Sequence, residues 1–509
     1  MGTTLIRGKW VIPDADSPVL HDAAVLVEDA RIVRLGAFAE LKAAHPQAPV
    51  IGSAGHAVMP GLINAHHHHA GVSGIQQGVP DMLLESWLRA LDRGRPGDGY
   101  LDTLLATARL LQSGVTTVVD MTSGGGTAAA WRDDIENVLK AYGETGIRVA
   151  LAPGIYDQGW LGVGPGDCDR RFLETLPGDL ARKLAGELPG ADHIRPGDYF
   201  AIMDDLIAGT KGDGKVSLWY GPPGVPWVTD SFYGEVADAA RRHKTGIQTH
   251  VSESYYEGLM GPKFHGRAMM RHLRELGVAG PHVSIAHGVW ITDEEMALMA
   301  EDGTGVSHNP SSNLRLRAGV APLNAYLASG VTTGLGMDNT AIGDDDDMFA
   351  EMRLALRLAR TPTYREPAPA TRQVFALATT GGAKLMRRDH ELGRLAPGYL
   401  ADIALVRLDR ISWPWVAPEA DPLELVMLRA RAGDIDTVLV SGEVVVSEDR
   451  PTGFDVHAAG RELAAKMAAT AYPDEAARLA EQLIPHIEAW YGGWTHKERV
   501  PHTAMNSRV

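Results

Sequence analysis

Short runs in which apolar and polar residues alternate occur near both ends of the chain. Runs bounded by Gly and Asp predict β-strands at residues 3–12, 24–28 and 31–35, and the same pattern returns at 402–406, 437–440 and 443–446. Because these two β-rich segments flank a long middle region, we expect them to form one small β-sandwich from both chain ends. Residues 1–58 and 391–452 are its two predicted parts.

The middle region, residues 59–390, alternates apolar strand-like runs with helical patterns. Strands are predicted at 61–65, 115–120, 148–153, 216–220, 246–250, 282–287, 305–308 and 332–338, and helices between them include 101–112, 135–142, 236–242 and 269–276. Alternating strands and helices form parallel sheets, and eight such units are the number of a (β/α)8 TIM barrel. The predicted fold is therefore α/β, a TIM barrel with a small β-sandwich.

Two segments do not fit a plain barrel. Residues 154–214 form a long Gly-, Asp- and Arg-rich insertion with a helical patch near 171–188, and loops of this length are usually lids, binding loops or oligomer contacts. Residues 453–509 form a helical C-terminal extension. Its helical part, 458–490, has an apolar face that we expect to pack on its own subunit or on a neighbour: Leu463, Met467, Ala471, Ala477, Leu479, Leu483 and Ile487.

Composition narrows the choice of partners. The 509 residues are 45% hydrophobic and 22% charged, and their formal charge of −16 argues against nucleic acid or anionic membrane as partner. No run of about 18 apolar residues predicts a membrane span, and no secretory signal is visible at the N-terminus. Cys168 is the single cysteine, which excludes an intrachain disulfide and cysteine-rich metal sites. We expect a cytoplasmic protein with a small-molecule substrate.

The candidate chemistry lies at the ends of the predicted barrel strands. The first strand ends in a histidine cluster, where His66 and His68 project to the same face while His67 points away. Later strands end in His250 (with Glu253 three residues on), His287, His308 and Asp338. The C-terminal ends of barrel strands meet at one mouth, so these groups are expected to converge there. Clustered imidazoles predict a metal site.

These motifs resemble the amidohydrolase superfamily, specifically its aminohydrolase branch, which includes cytosine, guanine and S-adenosylhomocysteine deaminases and the triazine hydrolases. The resemblance rests on Met59-Pro-Gly-Leu-Ile-Asn-Ala-His66-His-His68, on the segment from His308-Asn-Pro-Ser-Ser-Asn313 to Gly334-Leu-Gly-Met-Asp338, and on Gly393-Arg-Leu-Ala-Pro-Gly-Tyr-Leu-Ala-Asp402. It covers roughly residues 1–450 and implies a homo-oligomer.

The resemblance also implies roles for individual residues. It makes His66, His68, His250 and Asp338 the metal ligands, with Glu253, His287 and Asp338 as catalytic groups around a metal-bound water. Three imidazoles and a carboxylate suit one Zn²⁺ per chain, and they would also accept Fe²⁺, Mn²⁺ or Co²⁺. Two-metal relatives place a modified lysine at the end of the fourth strand. This chain has Leu218-Trp-Tyr there, which favours a single metal.

The expected reaction replaces an amino or substituted amino group on a nitrogen heterocycle with oxygen from water. Hydrolysis of an amide, urea or thiocarbamate by the same metal site is the alternative enzyme hypothesis. A catalytically inactive scaffold of the same fold is a further alternative, which the retained ligand set disfavours.

Substrate contacts are less clearly marked by the sequence. Trp87 lies near the expected pocket, although a core aromatic residue would fit the same pattern. Gln76, His308 and Asn313 could hydrogen-bond a polar heterocycle, or the amides could satisfy loop backbone. The run Asp344-Asp-Asp-Asp347 could bind a cation, but it precedes a predicted helix, and capping of that helix is the favoured interpretation.

Overall fold

The computed structural model describes residues 2–190, 192–210, 214–339, 345–361, 364 and 368–495. Its strands are β1 Thr3–Val11, β2 Leu20–Glu28, β3 Arg31–Ala37, β4 Val50–Pro60, β5 Leu62–His68, β6 Val115–Gly124, β7 Arg148–Ile155, β8 Val216–Leu218, β9 Ile247–Val251, β10 Val283–His287, β11 Gly305–His308, β12 Thr333–Leu335, β13 Asp338–Asn339, β14 Ile403–Arg407, β15 Ile435–Val440, β16 Glu443–Ser447 and β17 Arg450–Pro451.

Helices connect most of these strands. In the first half of the chain they span Phe38–Ala44, Leu84–Ala90, Gly99–Gln112, Ala128–Thr145, Cys168–Leu173, Gly178–Ala185, Pro196–Gly209 and Asp230–His243. In the second half they span Tyr255–Met260, Met269–Glu275, Asp293–Asp302, Pro310–Arg315, Leu323–Ser329, Met348–Leu358, Thr371–Ala376, Gly382–Leu385, Asp409–Ser412, Pro422–Arg429, Val456–Ala469 and Asp474–Gly492. Among the described helices, none has both the length and the apolar character needed to cross a bilayer.

The terminal segments form one hydrogen-bonded sheet in the order β17-β16-β15-β14-β4-β1-β2-β3. Strand β4 joins the two ends of the chain, because it pairs parallel with β1 and antiparallel with β14. The prediction that both ends build one β unit is confirmed at the level of pairing, but the strands form one sheet where two were expected. Alternation shows which face of a strand is buried, and it does not show which strands pair.

The middle region contains two parallel sheets, ordered β13-β5-β6-β7-β8 and β12-β11-β10-β9. A parallel bridge between Tyr220 and Ile247 joins the end of β8 to the start of β9. Each of the eight predicted strands coincides with an observed one to within a few residues, although the last, 332–338, is divided into β12 and β13. All the carboxyl ends of these strands therefore lie on one side, as parallel pairing requires.

In its described residues the predicted insertion contains three helices, and the last of them belongs to the surrounding helical layer. Tyr199 of helix Pro196–Gly209 is buried, and its ring packs against Trp131 and Phe232 of the helices on either side. Its hydroxyl donates to the carbonyl of Pro153 at 2.9 Å. This helix links β7 to β8 in the way that a βα crossover does.

The C-terminal extension packs on its own chain. Leu463 is buried against helix Gly99–Gln112, and Leu483 and Ile487 join the main hydrophobic core. The predicted apolar face is wrong at Ala471, which is exposed in the turn between the two helices. The second helix ends against the insertion, where Tyr491 donates to the carbonyl of Gly162 at 2.8 Å.

A buried ion pair connects the terminal sheet to the middle region. Arg148, at the start of β7, donates to both carboxylate oxygens of Asp402 at 3.1 Å, and both side chains are almost fully buried. Arg148 also donates to the Ser441 hydroxyl at 2.8 Å. The guanidinium therefore reaches two segments of the terminal sheet at once.

Candidate metal centre

Strand β5 brings the first two histidines of the site together. The rings of His66 and His68 lie 4.8 Å apart between centroids, and both approach Asp338 Oδ1, at 3.7 Å from His66 Nε2 and 3.4 Å from His68 Nε2. Asp338 is the first residue of β13, which pairs directly with β5. Neighbouring parallel strands thus place two imidazoles and one carboxylate at the same edge.

The third histidine comes from the other parallel sheet. His250 of β9 has its Nε2 atom 3.2 Å from His68 Nε2, and its ring centroid is 4.9 Å from that of His66. The potential ligand atoms of His66, His68 and His250 all lie within 4.8 Å of one another. The structure therefore brings together the four residues that the sequence analysis named as ligands.

The Nδ1 atom of each of these histidines is already engaged by an oxygen acceptor. His66 donates to Gln248 Oε1 at 2.9 Å, His68 to the Met121 carbonyl at 2.5 Å, and His250 to the Pro223 carbonyl at 2.6 Å. An imidazole that donates through Nδ1 keeps its lone pair on Nε2, and such outer hydrogen bonds orient metal-binding histidines. All three lone pairs then point to a common centre.

Electrostatics at this centre favours a cation. Burial, reinforced by the neighbouring histidines, holds the pKa of His66 well below its ordinary value and lowers that of His250 to about 3. Burial alone would raise the pKa of Asp338, but the imidazoles of His68 and His287 lower it, so the carboxylate is ionised. The imidazoles of His68 and His250 both donate through Nδ1, so the lone pairs of their Nε2 atoms face each other at 3.2 Å, and a positive ion between them stabilises this arrangement.

The residues fit a metal by a second test. Among the described residues, His66 Nε2 and Asp338 Oδ1 are buried polar atoms without a hydrogen-bond partner. Unsatisfied buried polar atoms are costly and call for an unseen ion or water. Zn–N bonds of about 2.0–2.1 Å in tetrahedral geometry separate ligand atoms by about 3.3 Å, close to the spacings here.

The backbone is unusual at two residues of the site. His287 has φ of 71° and Asp338 has φ of 62°, left-handed values that cost a non-glycine residue about 1–3 kcal/mol. Two residues before Asp338, Gly336 lies so close to its neighbours that a Cβ atom would come within 2.2 Å of Asn309 Oδ1. Such local strain persists where the surrounding structure imposes it and is concentrated at functional sites.

Glu253 and His287 stand beside the four candidate ligands. His287 Nε2 is 3.6 Å from Glu253 Oε2 and 3.8 Å from Asp338 Oδ2, while its Nδ1 donates to Asn313 Oδ1 at 2.9 Å. Asp338 Oδ2 also accepts a hydrogen bond from the Ser312 hydroxyl at 2.6 Å. Glu253, His287 and Asp338 therefore form a row of neighbouring titratable side chains, with separations of 3.6 and 3.8 Å.

Three buried carboxyl groups cluster behind this row of side chains. The amide of Glu253 donates to Glu257 Oε2 at 2.8 Å, and the hydroxyl of Ser254 donates to Glu85 Oε1. Burial, and then repulsion from Glu257 and Asp338, raises the pKa of Glu253 well above its ordinary value; burial raises that of Glu257 to about 7. A carboxyl group that retains its proton near neutral pH can act as a general acid.

The other two histidines of the cluster serve a different purpose. His67 is buried on the opposite face of β5, with its Nδ1 atom 3.8 Å from Asp120 Oδ1. His69 Nδ1 lies 2.7 Å from Asp120 Oδ2, and the ion pair raises the pKa of His69 in spite of burial. Asp120 also accepts the backbone amide of His69 at 3.1 Å, so it fixes the strand end from which His68 projects.

The predicted substrate contacts lie in different environments. Trp87 is buried in a hydrophobic cluster with Val79, Leu84 and Leu316. Gln76 is exposed, and its Oε1 accepts from the Ser73 amide at 2.9 Å. Trp87 is therefore placed as a core aromatic residue and Gln76 as a side chain that satisfies loop backbone, the alternatives to substrate contact given above.

His308 and Asn313 lie closer to the chemistry. His308 is buried at the end of β11, where burial and then His287 lower its pKa to about 4. Asn313 Oδ1 accepts the hydrogen bond from His287, while Asn313 Nδ2 is buried without a partner among the described residues. Substrate contact by either residue stays a prediction.

Sequence analysis missed several residues that the structure brings to the centre. Gln248 lies two residues before His250 in β9, so strand periodicity alone places both on one face. Ser312 adjoins the predicted Asn313. The carboxyl groups of Glu85 and Glu257 gave no signal, because acidic residues in short helices ordinarily face solvent.

Comparisons with known proteins agree with this geometry. Residues 57–445 match the Amidohydrolase family, and residues 23–48 match an imidazolonepropionase-like composite domain of bacteria. The chain is 27% identical to a 5'-deoxyadenosine deaminase of Methanosarcina mazei over 96% of this chain and 100% of that protein. It is 29% identical to a 5-methylthioadenosine/S-adenosylhomocysteine deaminase of Desulfitobacterium hafniense over 91% of this chain and 97% of that protein.

Solved structures show the same architecture. An adenosine deaminase of Xanthomonas campestris with bound zinc superposes with a TM-score of 0.76 at 23% identity, covering 92% of this chain and 99% of that one. The atrazine chlorohydrolase TrzN of Arthrobacter aurescens, complexed with zinc, gives a TM-score of 0.77 at 25% identity, covering 91% and 100%.

The match to the family model covers most of the chain, so the chain belongs to the amidohydrolase family. It is a metal-dependent hydrolase of the aminohydrolase branch, which acts on C–N bonds other than peptide bonds. The predictions of family and of reaction type are confirmed.

Proposed function

We propose that this enzyme removes the 6-amino group of an adenosine that carries a modified 5' position. Two relatives that align over nine tenths of the chain are named for 5'-deoxyadenosine and for 5-methylthioadenosine and S-adenosylhomocysteine. The observation that carries the proposal is the buried carboxyl group of Glu253, 3.6 Å from His287 Nε2. Deamination of a heterocycle needs a proton donor at this place, because the ring nitrogen must be protonated as water adds.

We further propose that His66, His68, His250 and Asp338 hold one divalent metal ion. Zn²⁺ is the first candidate for this nitrogen–oxygen set, and Fe²⁺, Mn²⁺ or Co²⁺ would also fit. When bound, such an ion lowers the pKa of a water molecule from its bulk value toward about 7 and so supplies a nucleophile at neutral pH.

The protein groups would move the protons. Asp338 accepts a proton from the attacking water, and Glu253 delivers a proton to the ring nitrogen. Once the C–O bond has formed, Glu253 takes up the proton that Asp338 had accepted and passes it to the amino group, so that the C–N bond breaks and ammonia leaves. The new hydroxyl then becomes a carbonyl and returns its proton to Glu253. His287, held through Nδ1 by Asn313, is placed to hydrogen-bond the water or the new oxygen.

A cavity of about 310 Å³ beside Glu85 would take the part of the substrate that is distant from the reacting carbon. Its walls include Glu85, Tyr256 and Arg317, and the C-terminal helix closes it with Glu488 and Tyr491. Such a lining of polar and apolar groups suits the ribose and its 5' substituent better than a bare heterocycle. Specificity for modified nucleosides would therefore depend on the C-terminal extension.

The finer architecture and the cellular setting also belong to the proposal. We propose that the two parallel sheets close into one (β/α)8 barrel spanning residues 59–390, with the terminal sheet formed by 1–58 and 391–452. The bridge from Tyr220 to Ile247 supports closure on one side, and the pairing of β13 with β5 supports it on the other. Assembly as a homo-oligomer and a cytoplasmic location stay predictions.

Product analysis tests the reaction. Metal-loaded enzyme is incubated with 5'-deoxyadenosine, adenosine and adenine, and with an amide, a urea and a thiocarbamate, and products are identified by mass spectrometry. Exchange of the amino group for oxygen on the 5'-modified nucleoside, faster than on adenine, is the expected result. A product carrying an added water, or its two fragments, would move the enzyme to amide or carbamate hydrolysis.

Glu253→Gln tests the proposed acid. The amide keeps the size of the side chain but cannot cycle a proton, so kcat should fall by about 10²–10⁴-fold while the metal content is unchanged. Glu294→Gln, at an exposed glutamate, is the matched control and should retain full activity. Wild-type kcat in Glu253→Gln would contradict the assignment.

A further inference from the structure

A second group of metal-binding side chains lies outside the site just described. Asp230 begins helix Asp230–His243, His265 ends the turn Gly261–His265, and His272 lies in helix Met269–Glu275. One potential ligand atom from each of the three residues lies within 4.8 Å of the others. Three separate segments therefore bring a carboxylate and two imidazoles to one point.

The geometry within this group resembles an incomplete coordination shell. His272 Nε2 is 2.9 Å from Asp230 Oδ1, and the two imidazole rings are stacked with centroids 3.6 Å apart and an interplanar angle of 19°. The Nε2 atom of His265 is buried without a hydrogen-bond partner in the described parts of the chain. A buried nitrogen of this kind calls for a ligand, and stacking on another imidazole does not satisfy it.

Charge and exposure also suit an ion. The nearby cation Arg267 is paired with Glu275, which offsets its charge. The side chain of His272 is 10% exposed and that of Asp230 is 54% exposed, so an ion can enter from solvent and keep bound water.

We propose that Asp230, His265 and His272 form a second, outer metal site that binds Zn²⁺ or another divalent ion accepting imidazole and carboxylate, with water completing the shell. Two imidazoles and one carboxylate are typical zinc ligands, and a shell of three protein ligands leaves a position for water.

The site would connect the catalytic centre to an outer helix. His265 lies twelve residues after Glu253, and the intervening segment carries Glu257 of the buried acid cluster and Tyr256 of the cavity wall. An ion that joins His265 and His272 to Asp230 would fix this segment against helix Asp230–His243. Metal binding at the outer site should therefore reduce motion at the mouth of the active site.

Metal titration of the full-length, tag-free enzyme tests the proposal. Wild-type protein, stripped of metal and titrated with Zn²⁺ alone, should bind two ions per chain, the second at least tenfold more weakly than the first. Asp230→Asn and His272→Gln should each bind one ion with the affinity of the tighter site. His243→Gln is the matched control, since His243 is a histidine of the same helix whose Nε2 lies 2.7 Å from Asp204 Oδ1, and this variant should still bind two ions.

Hydrogen exchange provides a readout that does not depend on variants. Amides of residues 255–272 in the wild-type protein should exchange more slowly with two equivalents of Zn²⁺ than with one. The proposal is overturned if wild-type protein binds a single ion, if both variants keep the second ion at wild-type affinity, or if the second equivalent leaves exchange in this segment unchanged. Because one equivalent fills the catalytic site first, failure here would leave the proposed reaction unaffected.

Discussion

The bond between Gln248 and His66 offers a sharp test of how the catalytic site holds its metal. Gln248 is fully buried, its Oε1 accepts from His66 Nδ1 at 2.9 Å, and its Nε2 donates to the Ala65 carbonyl at 2.9 Å. Gln248→Leu preserves approximate size and burial but removes the acceptor. His66 is then free to rotate and to place its proton on Nε2, the atom that the metal needs.

The expected loss can be worked from this contact. Removing an outer hydrogen bond of a metal-binding histidine typically weakens metal binding by about 10–100-fold, or about 1.4–2.7 kcal/mol. Leaving the His66 N–H buried and unpaired should also lower the stability of the metal-free protein by about 1–3 kcal/mol. Metal affinity should therefore fall together with stability, whereas a purely structural role for Gln248 would lower stability alone.

Competition against a chromophoric chelator measures the metal affinity, and urea unfolding of the metal-free protein measures the stability. Ser284→Ala is the control, because Ser284 contacts Gln248 at 3.4 Å on the side away from His66. Its metal affinity should equal that of the wild type. Gln248→Leu protein that binds Zn²⁺ as tightly as the wild type would refute the reasoning.

Two further predictions concern stability. Asp402→Ala leaves the buried guanidinium of Arg148 unpaired and should lower the free energy of unfolding by about 3–5 kcal/mol in urea titrations; a loss below about 1 kcal/mol would show that the pair does not hold the sheet. Burial raises the pKa of Glu351 to about 8, whereas the same group in the unfolded chain loses its proton above about pH 4.5. Because the folded state alone keeps this proton between these two values, the free energy of unfolding should fall as pH rises from about 4.5 to about 8. Glu351→Gln should show a smaller decrease in melting temperature between pH 6 and 9 than the wild type, and parallel curves would contradict this.

Most residues of the candidate metal centre could be predicted from the sequence, because strand ends can be recognised from local patterns. His66, His250 and Asp338 each follow a short apolar run, and parallel strands necessarily present such residues on one side. His68 follows from period-two spacing. The left-handed backbone at His287 and Asp338 could not be predicted, since tertiary packing imposes it.

Other features depend on contacts between distant segments. The burial of Glu85 against Ser254 arises from a helix and a loop that no local pattern relates. The same holds for His265 and His272, which meet Asp230 only after three helical segments have packed. Pairing of β4 with β14 determines the single terminal sheet, and the alternation of apolar and polar residues within either strand does not predict that pairing.

The pairing of β4 with β14 has a consequence for synthesis of the chain. Pro60 faces Ile403, which is made about 340 residues later. At translation rates of about 5–20 residues per second, β4 waits roughly 20–70 s for this neighbour. During that time it presents an open strand edge, and such edges recruit other chains. The yield of folded enzyme is therefore expected to depend on how well this edge is protected during synthesis.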